Sequence, residues 1–264
     1  MNQRTVYIIV FVFTLVSFLT ICGFAHQWKK ILSIENIEVE NEYMVNENEI
    51  LKLAGIKVGD GFYDVSLDSV RNRLLVQKYI KEVIITRKMN GVVHIDVRER
   101  RPIANLNLGK TWYIDSEGVL LSKIQSNVIL DLPVISGYGT NMLAPNSSGL
   151  AFVAGDKVPS ADVTIALSIL TSSLDVDEDL YYLISEINLN HGRDIFIYTS
   201  DYGIPINIGR EQYNKKLQLL STFWRQFVIP KGAGNLESVD VRFNDQVVVR
   251  WKPEEVKKSL ETMI

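Results

Sequence analysis

Cysteine is almost missing from this sequence: of 264 residues only Cys22 carries a thiol, and it lies inside an apolar run. Beyond residue 22 there can be no disulfide framework, thiolate zinc site or cysteine nucleophile. Such a region tolerates an oxidising compartment without depending on one. Histidine is scarce too, and His26, His94 and His191 lack the close spacing of paired metal ligands. His94 falls on the polar side of a strand whose other side is Val93, Ile95 and Val97, as a solvated side chain would. An excess of positive charge is also missing: 28 basic side chains stand against 31 acidic ones, for a net charge of -3. Nucleic-acid binding needs a basic face, and no basic tract of any length occurs.

Catalytic motifs are absent as well. There is no P-loop, no Gly-x-Ser-x-Gly elbow and no His-Glu-x-x-His. Gly232-Ala233-Gly234 lacks the third glycine of a dinucleotide fingerprint. Asp175, Asp177, Asp179 and Glu186 have the spacing of a calcium loop, but Leu180 stands where its sharp turn needs glycine. That segment reads as an acidic solvated loop leading into a strand. Asn146-Ser147-Ser148 matches a glycosylation acceptor formally and is read as chance. No enzyme activity, metal or cofactor is expected.

What the sequence does contain begins with Val6 to Ala25, an uninterrupted apolar stretch without charge. It matches the roughly 20 residues that a helix needs to cross a bilayer core. Trp28 then stands where an interfacial aromatic belongs. A cleaved signal peptide would have a shorter apolar region, of about 7–15 residues. A lipoprotein would want a small residue where Ile21 precedes Cys22. The expectation is a retained anchor over 6–25. Its flanking charges, Arg4 on one side and Lys29 and Lys30 on the other, leave the orientation open.

Behind the anchor, a strand is expected over Ile34 to Val45, where Ile37 and Val39 alternate with Glu38 and Glu40. Asn46 and Glu49 have capping-box spacing for a short helix that Gly55 closes, and Ser66 can cap a second. Two β-rich runs flank Asn90-Gly91, a strong hairpin signal. The order strand, helix, helix, strand, strand makes an α+β module over 32–101. From Pro102 the texture changes to short strands with turns, of which Asp115-Ser116-Glu117-Gly118 is one. Two helices interrupt them. Ser160 to Leu174 carries Val163, Leu167, Leu170 and Leu174 on one side, and Gln212 to Phe227 carries Tyr213, Leu217, Leu220, Trp224 and Phe227 on one stripe. Strands Leu236 to Phe243 and Val247 to Trp251 close a mixed, β-rich domain over 102–253, and 254–264 is a tail.

The last strand follows a turn at Asn244-Asp245 and is stopped by Pro253, so it is expected at a sheet edge. Val247, Val249 and Trp251 share one face, and Val248 shares the other with Arg250. Val247-Val248-Val249 is flat and uncharged, suited to accepting a partner's strand. Arg242, Phe243, Arg250 and Trp251 are of types enriched at interface hot spots. Alternatively, Val247, Val249 and Trp251 simply line the core; the backbone edge remains open either way.

An ordered set of motifs ties these segments together: Glu99-Arg100-Arg101-Pro102-Ile103-Ala104, then Trp112-Tyr113-Ile114-Asp115-Ser116-Glu117-Gly118-Val119, Leu132-Pro133-Val134-Ile135-Ser136-Gly137, and Val239-Asp240-Val241-Arg242-Phe243 leading to Trp251. In this order behind a single anchor, they resemble the FtsQ/DivIB family of bacterial cell-division proteins across nearly the whole chain. The resemblance implies a cytoplasmic tail over 1–5, one span of the inner (plasma) membrane, an extracytoplasmic POTRA module and a β domain that binds partners near its carboxyl end. It implies a non-catalytic scaffold at the division septum that joins FtsB- and FtsL-like bitopic proteins to septal peptidoglycan synthesis. Two other classes stand beside it. A POTRA-containing outer-membrane assembly or secretion component would require a long series of transmembrane strands after the module. An anchored peptidoglycan hydrolase would require carboxylates or metal ligands that converge on a cleft.

Overall fold

The computed structural model describes residues 3–41, 43–123, 130–138 and 152–253. The Asn146-Ser147-Ser148 acceptor and the 254–264 tail lie outside the described residues. The chain divides into two compact units, Met1–Arg100 and Arg101–Ile264.

The first unit opens with helix α1, Gln3–Ile31, of 29 residues. Phe11, Phe13, Phe18, Leu19, Ile21 and Phe24 on it are exposed. Among the described residues, no helix is long and apolar enough to cross a membrane; on α1 the side chains described without a break are those of residues 9–24.

There follow β1 (Asn36–Glu40), α2 (Glu47–Ala54), α3 (Leu67–Leu74), β2 (Ile80–Lys88) and β3 (Val92–Glu99). The sheet order is β1-β3-β2, with β1 parallel and β2 antiparallel to β3. Ile50, Ala54, Val70 and Leu74 from the helices meet Val83, Val93, Ile95 and Val97 from the sheet in the buried interior. Asn46 caps α2 by accepting from the Glu49 N–H at 2.9 Å, and Gly55 closes it at φ 61°. The Glu49 carboxylate instead accepts from Gln77 Nε2 at 2.6 Å. The first strand is shorter than the alternation predicted. Asn41, at φ 66°, ends it, and the N–H groups of Tyr43, Met44 and Val45 turn to the Glu99 carboxylate at 3.2, 2.6 and 3.0 Å.

The second unit holds a nine-stranded mixed sheet in the order β12-β11-β10-β9-β8-β7-β4-β5-β6. Its strands are β4 (Pro102–Asn107), β5 (Thr111–Asp115), β6 (Leu120–Leu121), β7 (Val134–Ser136), β8 (Ile184–Asn188), β9 (Ile195–Thr199), β10 (Pro205–Gly209), β11 (Leu236–Asp240) and β12 (Val248–Trp251). Helices α4 (Ala161–Val176), α5 (Glu178–Tyr182) and α6 (Tyr213–Phe223) accompany them, with a further single turn at Ile229–Lys231. The core joins Leu106, Trp112, Ile135, Ile187, Ile197 and Ile206 of the sheet to Leu167, Leu170, Leu217 and Leu220 of the helices. The architecture is α+β: a three-stranded sheet with two short helices in the first unit, and a mixed β-rich domain with helices in the second.

Local chemistry explains where the predicted elements shift. In the turn after β5, Asp115 Oδ1 accepts from the N–H groups of Glu117 at 2.9 Å and Val119 at 2.8 Å, while Gly118 takes φ 81°. The acidic segment after α4 is a second helix rather than a loop running into a strand. Asp177 caps α5, accepts from Ser221 Oγ at 2.7 Å and pairs with Arg225 at 2.6 Å. The Ser221 hydrogen bond, with help from Arg225, holds its carboxyl below the usual range. Leu180, in the position a calcium loop gives to glycine, is buried in the core. Leu174 is not on the buried face of α4; Ser173 takes its place. Phe227 also turns outward, because α6 passes into a π turn over Trp224–Val228 that carries Val228 inside in its stead.

Tyr181 makes this core sensitive to alkali. Its buried hydroxyl donates to the Ile103 carbonyl at 3.0 Å, and burial, with smaller contributions from Tyr182 and Asp131, pushes its pKa up to about 12. A raised phenol pKa means that the neutral form is favoured in the folded chain. Its contribution is full below the ordinary tyrosine value of about 10 and is lost as pH climbs through about 12. Thermal melts of the full chain should therefore fall more steeply between those pH values for the natural sequence than for Tyr181→Phe. Parallel curves would contradict it.

Candidate partner-binding edge

Strand β12 ends the nine-stranded sheet, pairing antiparallel with β11 on one side. Val248 lies opposite Asp240, Val249 opposite Val239, Arg250 opposite Ser238 and Trp251 opposite Leu236. Two hydrogen bonds fix which backbone groups face out. The Val241 N–H donates to the Asn207 carbonyl at 2.9 Å, so Val239 and Val241 face β10, and Ser238 and Asp240 face β12. The Lys252 N–H donates to the Asn235 carbonyl at 2.9 Å, back across the same pair. Val248 and Arg250 therefore exchange hydrogen bonds with β11, while the N–H and C=O groups of Val249 and Trp251 point to the open side.

The side chains alternate as the sequence predicts. Val248 is 50% exposed, and Arg250 is exposed with a loose ion pair to Glu237 at 3.7 Å. Val249 and Trp251 are partly buried against the core, and so is Val247, just ahead of the strand. Lys231 Nζ lies 5.2 Å from the Trp251 ring centroid, and Lys252 Nζ donates to the Gly234 carbonyl at 2.9 Å. Phe243 is half exposed.

Arg242 is engaged within the chain. Its Nε and Nη2 donate to Asp240, at 3.0 and 2.7 Å to Oδ2, and its Nη1 donates to Asp194 Oδ2 at 2.7 Å. Burial alone would raise the Asp240 pKa, but hydrogen bonds from Arg242 outweigh it and hold the carboxyl low. Sequence reasoning had no access to this network, because Asp194 lies 48 positions from Arg242. The Asp240-x-Arg242 spacing was the one local signal.

The structure also brings together Glu38, Glu40 and His94, whose ligand-capable atoms lie within 4.8 Å of one another. Lys88 Nζ lies 2.8 Å from Glu38 and 3.1 Å from His94 Nδ1, so two of the three are already engaged by an ammonium. His191 belongs to the other unit, and the side chain of His26 lies outside the described residues.

Two family models match the chain: "POTRA domain, FtsQ-type" over residues 32–100 and "FtsQ/DivIB, C-terminal related" over residues 101–249. Among similar proteins is the cell division protein FtsQ of Geotalea daltonii, 26% identical over 82% of this chain and 75% of its own length. That of Geobacter sp. strain M21 is 28% identical over 83% and 76%. The cell division protein DivIB of Clostridium acetobutylicum is 24% identical over 82% of each.

Proposed function

The chain belongs to the FtsQ/DivIB family of cell-division proteins, and on that premise we propose that it is a non-catalytic bitopic scaffold of the bacterial divisome. It joins FtsB- and FtsL-like membrane proteins to septal peptidoglycan synthesis through protein contacts, with β12 as a docking edge. The observation that carries this reading is the open side of β12, where, among the described residues, the backbone groups of Val249 and Trp251 have no neighbouring strand in the sheet. Unpaired strand edges of this kind accept an extended segment from another chain. Val248 and Arg250 stand on the exposed face of the strand to meet the partner's side chains, with Phe243 at its approach.

In the same reading α1 is the membrane anchor, with residues 1–5 in the cytoplasm and everything from Trp28 onward exported. Support comes from the 29-residue length of α1 and from its outward-facing phenylalanines and aliphatic side chains. Leaving such side chains in water forfeits about 1.5–3 kcal/mol each, and a bilayer removes that cost. Fluorescent-fusion imaging combined with depletion of the protein tests the proposal. A mid-cell band and filamentous cells after depletion are the expected results. A diffuse fusion in a strain that divides normally without the protein would overturn it.

A further inference from the structure

The strand that forms the open edge pairs with β11 and is joined to it by residues 241–247. Arg242 stands at the start of that connection. All three guanidinium nitrogens face carboxylates of this chain: Nε and Nη2 face Asp240 at the end of β11, and Nη1 faces Asp194 just ahead of β9. The Arg242 N–H also donates to Asp240 Oδ1 at 3.0 Å, so backbone and side chain are held by the same group.

The surroundings are shaped to this arrangement. Gly209 sits at φ 67°, and a Cβ there would come within 3.1 Å of Arg242 Cγ and 3.5 Å of Lys216 Nζ. A side chain at 209 would thus be strained in its backbone and would crowd the arginine stem. Lys216 is buried and donates to the Ile208 carbonyl at 2.9 Å, adding positive charge behind Asp240. Asn207 Nδ2 reaches Asp194 at 3.4 Å, and the Asn207 carbonyl receives the Val241 N–H. One guanidinium therefore links the end of β11 to the approach to β9, and the arginine stem lies beside Gly209 at the end of β10.

We infer that Arg242 is a positioning residue: it braces the β11–β12 connection against the segment before β9 and so fixes where the β12 edge is presented. The inference rests on the reading of β12 as the docking edge. It gives Arg242 a different part from Arg250, whose side chain is on the exposed face and only loosely paired. A planar, forked guanidinium can satisfy two carboxylates in fixed directions at once, which an ammonium on a flexible stem cannot do.

Hydrogen–deuterium exchange on the full chain in detergent micelles, without any partner, tests the brace itself. Arg242→Ala should raise exchange at the β11-facing amides of Val248 and Arg250 by about tenfold while leaving β8 and β9 unchanged. Asp194→Asn should act in the same direction, the double variant should be little worse than either single one, and Arg242→Lys should fall between. Unchanged exchange at those two amides in Arg242→Ala, or a rise spread evenly over the domain, would overturn the inference. Binding of an FtsB-like protein supplies a second readout with opposite signs for the two roles. If Arg242 is a brace, Asp194→Asn weakens binding; if it reaches the partner directly, freeing it from Asp194 leaves binding intact or tightens it. The second result would overturn the inference as well. Failure of the natural chain to bind at β12 would strike the docking-edge reading instead, and the partner-free exchange experiment would be untouched by it.

Discussion

Val249→Pro is expected to weaken capture of an FtsB-like partner by at least about tenfold, because it deletes an outward backbone donor and puts a ring where the incoming strand must lie. The domain should still fold, since the Val249 N–H takes no part in the β11 ladder and the partly buried side chain is exchanged for one of similar bulk. Val248→Pro should do the opposite first. Its N–H faces β11 across the Asp240 pair, so losing it should cost the domain about 1–3 kcal/mol of stability. A proline scan of 248, 249 and 250 should then alternate, with binding lost at 249 and stability lost at 248 and 250. Pull-down paired with thermal melts reads both quantities. A folded Val249→Pro chain that captures the partner undiminished would remove β12 from the interface.

Glu99→Ala should be among the most destabilising single changes in the first unit. The carboxylate accepts from three successive N–H groups, those of Tyr43, Met44 and Val45, and Val45 is buried. Bonds to a charged acceptor are each stronger than neutral ones, and removing the acceptor leaves donors with no partner. A loss of about 2–4 kcal/mol is expected. Glu99→Gln should rescue it only partly, because an amide turns N–H groups toward donors that need an acceptor. Chemical denaturation followed by a probe in the first unit reads this directly. A change within about 0.5 kcal/mol, the usual range for surface substitutions, would show that water replaces the carboxylate without cost.

Much of this was legible because it depends on local chemistry. The caps at Asn46 and Ser66, the closing Gly55 and the Asp115 turn are all short-range devices whose residues lie within a few positions of the groups they satisfy. Alternation likewise assigned the two faces of Val247 to Trp251. The partner of Glu99 was not legible, since its acceptor role depends on bringing β3 beside residues 43–45, more than fifty positions away. The outward turn of Phe227 was hidden because one π turn shifts helical register without a composition signal of its own. The acidic run at 175–179 misled for a related reason: spacing alone cannot show that Asp177 is occupied by Ser221 and Arg225 from α6 and the π turn that follows it. Arg242 could be named from residue type, but its role depends on Asp194, which only the folded sheet brings near.

Hydrogen–deuterium exchange of the full chain with and without an FtsB-like partner tests the central claim most directly. Because Val249 and Trp251 face the open side, their amides should exchange freely in the chain alone and become protected when the partner binds, while those of Val248 and Arg250 change little. Protection confined to other surfaces, with exchange at β12 unaltered in a saturated complex, would contradict the claim that this edge receives the partner's strand.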